Sequence, residues 1–372
     1  MEKEKPPVEI RRSVWPLAWL YGLAVNFRNT LFDRKILKQE TFDIPVICVG
    51  NLTVGGTGKT PHVEYLVRLL SPEYRVAVLS RGYKRRSRGF MMVDTDSNAS
   101  EAGDEPLQIK RKFPEILVAV DRDRVNGIRN ILSADRKNRP DVILLDDGFQ
   151  HRRVQPSLSI LLVDSNRPVF EDRLLPAGSL REPLRGKERA TIVVVTKCDP
   201  DMQPIDFRIY TNGLNLYPYQ QLYFTGFDYG MIIPLFPELQ GAPFQVQDLR
   251  KKHVFLVAGI ASPQPLVDKL EHIIYSLYTL FFPDHHSFRE KDIQSIREMV
   301  NAVDDSNKII LTTEKDAVRL RTLPFLDEEM KRMLYYIPVC VTFIDEKEQE
   351  KFNNNILEHV RSYQTNSRLS EK

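Results

Sequence analysis

Residues 46–62 read VICVGNLTVGGTGKTPH, a short apolar run followed by a glycine-rich turn that closes on Gly58-Lys59-Thr60. Strand, glycine-rich loop and Lys-Thr in that order are the sequence form of a phosphate-binding loop, which commits this part of the chain to a strand–loop–helix unit. Gly55, Gly56 and Gly58 let the backbone turn sharply and bring its N–H groups to phosphate oxygens. A helix opening at Thr60-Pro61 adds the positive end of its dipole, and Pro is tolerated where the N–H is unpaired in any case. The expected cradle is Thr53, Val54, Gly55, Gly56, Thr57, Gly58, Lys59 and Thr60, with Lys59 on the β- and γ-phosphates and the Thr60 hydroxyl on Mg²⁺. One residue departs from the generic pattern: Thr53 stands where a glycine is usual. The loop implies a nucleoside triphosphate site.

At 372 residues the chain has room for two domains, and 42% hydrophobic content supplies a substantial core. A net charge of +3 is too mild to argue for nucleic acid. Cys48, Cys198 and Cys340 are odd in number and far apart, which indicates neither a disulfide framework nor a zinc site and suits a reducing cytoplasm. Residues 14–25, VWPLAWLYGLAV, are almost wholly apolar and flanked by Arg11-Arg12 and by Arg28, Arg34 and Lys35. That run falls short of the ~20 residues a membrane-spanning helix needs, and no small-residue cleavage site follows it. As a helix it lines up Leu17, Leu20, Ala24, Phe27 and Leu31, with both tryptophans, Trp15 and Trp19, on one side. Such a helix lies in a membrane interface or docks on the protein's own core.

Short apolar runs then recur at 45–49, 75–79, 116–120, 141–145, 158–163 and 191–195. Runs of this kind without in/out alternation predict strands buried on both faces, hence a parallel sheet covered by helices, an α/β fold of the phosphate-loop NTPase type. Several end in polar residues that collect beyond the carboxyl edge of such a sheet. Near 215 the character changes: residues 219–236 predict two aromatic strands around a turn at 226–230. A second α/β pattern follows, with a strand at 253–258, helices at 264–278 and 289–303, strands at 307–312 and 335–344, and a helix at 346–362. The expected division is an N-terminal membrane-associated helix (1–40), a phosphate-loop domain (41–215), a two-stranded linker (216–249), a smaller α/β domain (250–364) and a disordered tail (365–372).

Asp146 and Asp147 close a hydrophobic strand, where Mg²⁺ finds the one or two carboxylates it prefers. The Pro/Gly-rich loop PAGSLREPLR (176–185) carries Arg181 and Glu182, a cation for phosphate oxygens and a carboxylate for the metal. Gly103-Asp104-Glu105-Pro106 reads as a turn with a candidate base in Asp104. Asp284-His285-His286 offers a His beside a carboxylate, an acid–base element more than a metal site. Thr196-Lys197-Cys198-Asp199 is similar to the guanine-reading element of GTPases, but the spacing of Asp146-Asp147-Gly148 does not give the switch element a GTPase also needs. A GTPase or metallochaperone-like switch is the alternative.

Together the strings VGNLTVGGTGKTP (49–61), LSRGYKR (79–85), GDEP (103–106), LLDDGFQHRR (144–153), PAGSLREP (176–183), VAGIASP (257–263), PDHHSF (283–288) and TTEKDAVRL (312–320) resemble the tetraacyldisaccharide 4′-kinase family. The match includes Thr53, and the region 200–250 matches poorly. The resemblance implies ATP-dependent phosphorylation of the 4′-hydroxyl of an acylated glucosamine disaccharide 1-phosphate in lipid A synthesis. It implies a peripheral protein on the cytoplasmic face of the bacterial inner membrane, with a lipid disaccharide substrate and no obligate protein partner. By the same resemblance Asp104 is the catalytic base supported by His285, Lys59 and Arg181 neutralise charge, and Tyr83 sits beside the nucleotide. Asp146, Asp147 and Glu182 are implicated with the metal.

Overall fold

The computed structural model describes residues 10–83, 85–133, 138–284 and 286–370. Its strands in chain order are β1 (Val46–Asn51), β2 (Val76–Ser80), β3 (Met91–Met92), β4 (Leu117–Val120), β5 (Val142–Asp146), β6 (Leu158–Asp164) and β7 (Ile192–Thr196). There follow β8 (Gln221–Tyr229), β9 (Ile233–Pro234), β10 (His253–Ala258), β11 (Ser276–Phe281), β12 (Lys308–Thr313), β13 (Leu334–Ile337) and β14 (Val339–Phe343). Among the described residues they form two sheets, ordered β14-β8-β7-β6-β1-β5-β2-β4-β3 and β11-β10-β12-β13-β9. The chain divides into two compact units. The first takes residues up to Ser97, Ile109–Phe227 and the residues from Val341 onward, and the second takes Asn98–Gln108 and Asp228–Cys340.

In the first unit β1 pairs with β5 and β6, β2 with β4 and β5, β6 with β7 and β7 with β8, all parallel. Every residue of β1, β2, β5 and β7 is buried, as their uninterrupted apolar runs require. Each Val, Leu or Ile fully buried there contributes roughly 1.5–3 kcal/mol. From β1 the chain passes through the helix Lys59–Leu70 and enters the sheet again at β2, beyond β5; after β5 it crosses to β6 on the other side of β1. Such a reversal opens a crevice at the carboxyl edge of the sheet. The register Val49↔Asp146 sets the end of β5 beside the strand that leads into the loop.

The second unit has its own parallel core, with β10 between β11 and β12, β13 beside β12, and β9 antiparallel at the edge. Four expectations for the second half of the chain change. The helix expected over 264–278 stops at Glu271, and Ser276–Phe281 is β11, because the aromatic SLYTLF run pairs along β10. The single strand expected at 335–344 is two strands in different sheets, broken at Pro338, which has no N–H for a ladder. The strand expected to turn near 226 continues to Tyr229, so β8 extends the large sheet while β9 belongs to the small one. The last helix, expected to end at 362 before a disordered tail, runs Glu346–Ser370, since no Pro or Gly interrupts it.

The N-terminal helix Trp15–Asp33, with Pro16 in its first turn, packs on the first unit through Ala18, Gly22 and Phe32. A Cβ on Gly22 would lie 2.8 Å from Leu174 Cδ1, so the backbone itself is the contact. Arg152 fastens its far end, donating to the Asn29 carbonyl at 3.0 Å and to Asp33 Oδ1 at 2.6 Å. The helix therefore docks by a small-residue face, while Leu17, Leu20, Ala24 and Phe27 face outward with Trp15 and Trp19. Among the described residues no helix is long and apolar enough to cross a membrane.

Candidate active site

The loop after β1 is held from the side by a second loop. Arg181 N donates to Leu52 O at 2.7 Å and Val54 N to Ser179 O at 2.8 Å, with an antiparallel bridge between Thr53 and Leu180. This pairing explains why position 53 is not glycine: Thr53 is buried, and its hydroxyl accepts from Asn51 Nδ2 at 3.3 Å. Gly55 and Gly58 adopt φ of 105° and 80°, and a Cβ at Gly58 would run into the Phe227 ring. His62, one turn into the helix, donates from Nδ1 to Gly58 O at 2.8 Å, and its Nε2 meets Thr225 Oγ1 at 3.0 Å. Burial lowers its pKa to about 4, so it is a neutral brace. Among the described residues the amides of residues 55–58 donate to no protein carbonyl, and the buried Thr57 hydroxyl has no partner. Donors left this way inside a turn fit a phosphate chain.

Asp146 ends β5, and Asp147 follows with φ of 49°, so the backbone turns between the two carboxylates. Lys59 Nζ lies 3.5 Å from Asp147 Oδ1 and 3.5 Å from Asn51 Oδ1. Arg181 Nη1 donates to both Asp147 oxygens at 3.2 Å and to Gln150 Oε1 at 3.2 Å. Ser80 Oγ, at the end of β2, donates to Asp146 Oδ2 at 3.0 Å. Burial, and next the Asp147 charge, raise the Asp146 pKa; at Asp147 the pull of Lys59 and Arg181 outweighs burial and lowers it. The pair thus splits into one carboxylate that resists its charge and one that keeps it. Oxygen donors alone, from two adjacent carboxylates and the first-turn Thr60, make a set suited to Mg²⁺.

A family model described as tetraacyldisaccharide-1-P 4′-kinase matches residues 10–361. The chain belongs to that family. The tetraacyldisaccharide 4′-kinase of Phocaeicola vulgatus is 48% identical over 364 residues, covering 98% of this chain and 99% of that protein. That of Parabacteroides distasonis is 49% identical and covers 95% of each. The crystal structure of LpxK from Aquifex aeolicus in complex with ATP has a TM-score of 0.73 and 30% identity, over 94% of this chain and 98% of that one. A phosphate-loop α/β fold is what such relatives share with this chain.

Of the expected site residues, Lys59, Asp146, Asp147 and Arg181 come together in the first unit. Glu182 is held within the protein. It is buried, and its oxygens accept from Arg189 Nη2 at 2.9 and 2.8 Å, from Gln150 Nε2 at 3.0 Å and from Asn29 Nδ2 at 3.5 Å. A carboxylate has about four lone-pair sites, and these four contacts engage them, so Glu182 braces its loop. Tyr83 is exposed in the turn after β2. Lys197, in the element similar to a guanine reader, is committed to Asp164 Oδ2 at 2.6 Å, and Thr196 Oγ1 donates to the loop's Thr57 carbonyl at 3.0 Å.

Asp104 falls in the second unit, where it opens the helix Asp104–Lys112 and meets Arg319. His285 lies outside the described residues. Its neighbour His286 pairs with Asp292 at 2.8 Å and stacks on Phe282. His62, Phe227 and Arg319 are residues of these surroundings that the sequence patterns do not single out. His62 alone left a trace in the sequence, four residues after Gly58 and so facing back on the loop's end.

Proposed function

We propose that the chain transfers the γ-phosphoryl group of ATP to the 4′-hydroxyl of a tetraacyl glucosamine disaccharide 1-phosphate, the phosphorylation step of lipid A synthesis named by its family. The observation that carries this is the convergence of Lys59 and Arg181 on Asp147 under a loop in which, among the described residues, the amides of 55–58 donate to no protein carbonyl. Lys59 and Arg181 draw charge from the transferring group and hold it in line, which is most of the catalysis such a reaction needs. Thr60, Asp146 and Asp147 would hold Mg²⁺, which supplies neutralisation of phosphate charge when bound. The acceptor is a secondary hydroxyl, so a carboxylate must take its proton as the new O–P bond forms and ADP leaves. Asp104 has that role, with His285 as its support. The test is incubation with γ-labelled ATP, Mg²⁺ and detergent-dispersed disaccharide 1-phosphate. Label in the lipid is expected, and label released only as inorganic phosphate would refute a kinase.

The place of action is the cytoplasmic face of the bacterial inner membrane. Support comes from the outward face of the N-terminal helix, where Trp19 is 66% and Phe27 68% exposed beside Trp15, Leu17, Leu20 and Leu23. Replacing Trp15 and Trp19 with Glu should weaken sedimentation with anionic vesicles about a hundredfold or more, at ~1.5–3 kcal/mol per buried large apolar side chain. Undiminished sedimentation would move the anchor elsewhere.

A further inference from the structure

The string TTEKDAVRL (312–320) carries four charged side chains and no part in the chemistry above. It leaves β12 and forms the helix Glu314–Leu320, capped by Thr313, whose Oγ1 accepts from the Asp316 amide at 3.2 Å. The Asp316 carboxylate is wholly buried and accepts from Thr313 Oγ1 at 2.7 Å and from Gly259 N at 2.8 Å. Arg319 Nη1 donates to Asp316 Oδ1 at 3.4 Å and to the His286 carbonyl at 3.3 Å. The rest of the guanidinium faces Asp104: Nε donates to Oδ1 at 3.2 Å and Nη2 to Oδ2. All of these residues belong to the second unit. A planar fork gripping both oxygens fixes the rotation of a carboxylate, which a lysine cannot do.

We propose that Arg319 is a positioning residue for phosphoryl transfer, its fork backed by Asp316 aiming the Asp104 carboxylate and keeping it ionised. The proposal rests on the reading of Asp104 as the base. A base at the end of a short first-turn side chain has several rotamers, and a loose one would spend most of its time off line. Arg319 removes that freedom, and Asp316 removes the freedom of Arg319. Burial opposes the Arg319 charge, yet Asp104, Asp316 and Glu105 together raise its pKa, so the fork stays cationic. Charged and titratable groups around the fork include Lys315, which reaches Asp284 at 3.1 Å and Glu105 at 3.7 Å, and the His286–Asp292 pair.

The test is steady-state transfer from γ-labelled ATP to detergent-dispersed disaccharide 1-phosphate across pH, for wild type, R319M, R319K, D316N and D104N. R319M should lower kcat about 10²-fold, the scale of one general-base contribution, with KM for ATP unchanged. It should also move the acid limb of kcat/KM to higher pH, because a carboxyl stripped of its cation takes up a proton more readily. R319K keeps the charge without the fork, so its limb should stay near the wild-type position while kcat falls about tenfold. D316N removes the brace but also an anion, so kcat should fall less than in R319M while the limb does not move to higher pH. Near-wild-type kcat in R319M, or a lowered kcat in R319M with the acid limb unmoved, overturns the proposal. If R319M does not fold, unchanged kcat in folded D316N and R319K overturns it equally. Wild-type turnover in D104N refutes the base itself, whatever Arg319 does.

Discussion

Around the phosphate loop, Asp147 takes both Lys59 and Arg181 at 3.2–3.5 Å beside its neighbour Asp146, and among the described residues the amides of 55–58 meet no protein carbonyl and the Thr57 hydroxyl has no partner. Around Asp104, by contrast, two carboxylates flank one guanidinium, and the buried one of the pair, Asp316, is fully engaged by Thr313, Gly259 and Arg319. The first region holds unbalanced groups apart and leaves room for a polyanion and a cation to complete it. The second completes itself. Groups meant to bind are kept short of partners, whereas a group meant to be aimed is surrounded by them. The loop region also keeps tension in its backbone, at Asp147 with φ of 49°, whereas the Arg319 cluster rests on an ordinary capped helix.

That contrast predicts unequal losses. Lys59→Ala should lower kcat about 10³-fold or more, a larger loss than R319M, with little change in melting temperature. Equal losses in the two variants would erase the distinction between a binding region and an aiming one. A smaller effect concerns the neutral brace. His62 has a pKa near 4 in the folded chain against 6.5 when unperturbed, so the unfolded state binds a proton that the native state refuses. Stability should therefore fall as pH drops from 6.5 toward 4, by about 3 kcal/mol at most from this residue, and flatten below. His62→Gln should flatten the slope over that window in urea unfolding; an unchanged slope would mean the brace is charged. Smallest is the loop's backbone: Gly58→Ala should cost about 2 kcal/mol through its positive φ and the approach to Phe227. Adding Phe227→Ala should recover about 1 kcal/mol against the sum of the singles, since it relieves the contact but not the dihedral.

What could be read beforehand follows the same division. The strands of the large sheet are legible because burial on both faces demands continuous apolar runs, as in VICV and IVVVT. The loop, Lys59, Asp146 and Asp147 are legible because local backbone geometry imposes them, all within a strand end and a turn. The strand β11 is hidden because its aromatic run continues a helical pattern, and only pairing with β10 decides between the two. Arg319 is hidden because its partner lies 215 residues away in the chain, and nothing near it announces a carboxylate. The different surroundings of Arg181 and Glu182 are hidden too. Its neighbour Arg181 enters the site, while Glu182 turns inward to Arg189 from the next position of the same loop.

The N-terminal helix has a practical consequence. Its outer face is greasy, and the obvious way to a well-behaved preparation is to cut it off. Yet Tyr21 Oη donates to the Arg181 carbonyl at 2.7 Å, Asn29 reaches Glu182, and Arg28 Nη2 donates to the Gln150 carbonyl at 3.0 Å. The helix is a wall of the room it guards, and trimming it takes scaffolding away from Arg181 and Gln150 together. Repainting is the sounder strategy: polar residues in place of Trp15, Leu17, Trp19, Leu20 and Phe27, with Ala18, Tyr21, Gly22, Arg28 and Asn29 untouched, give a water-loving protein that keeps its catalytic furniture in place.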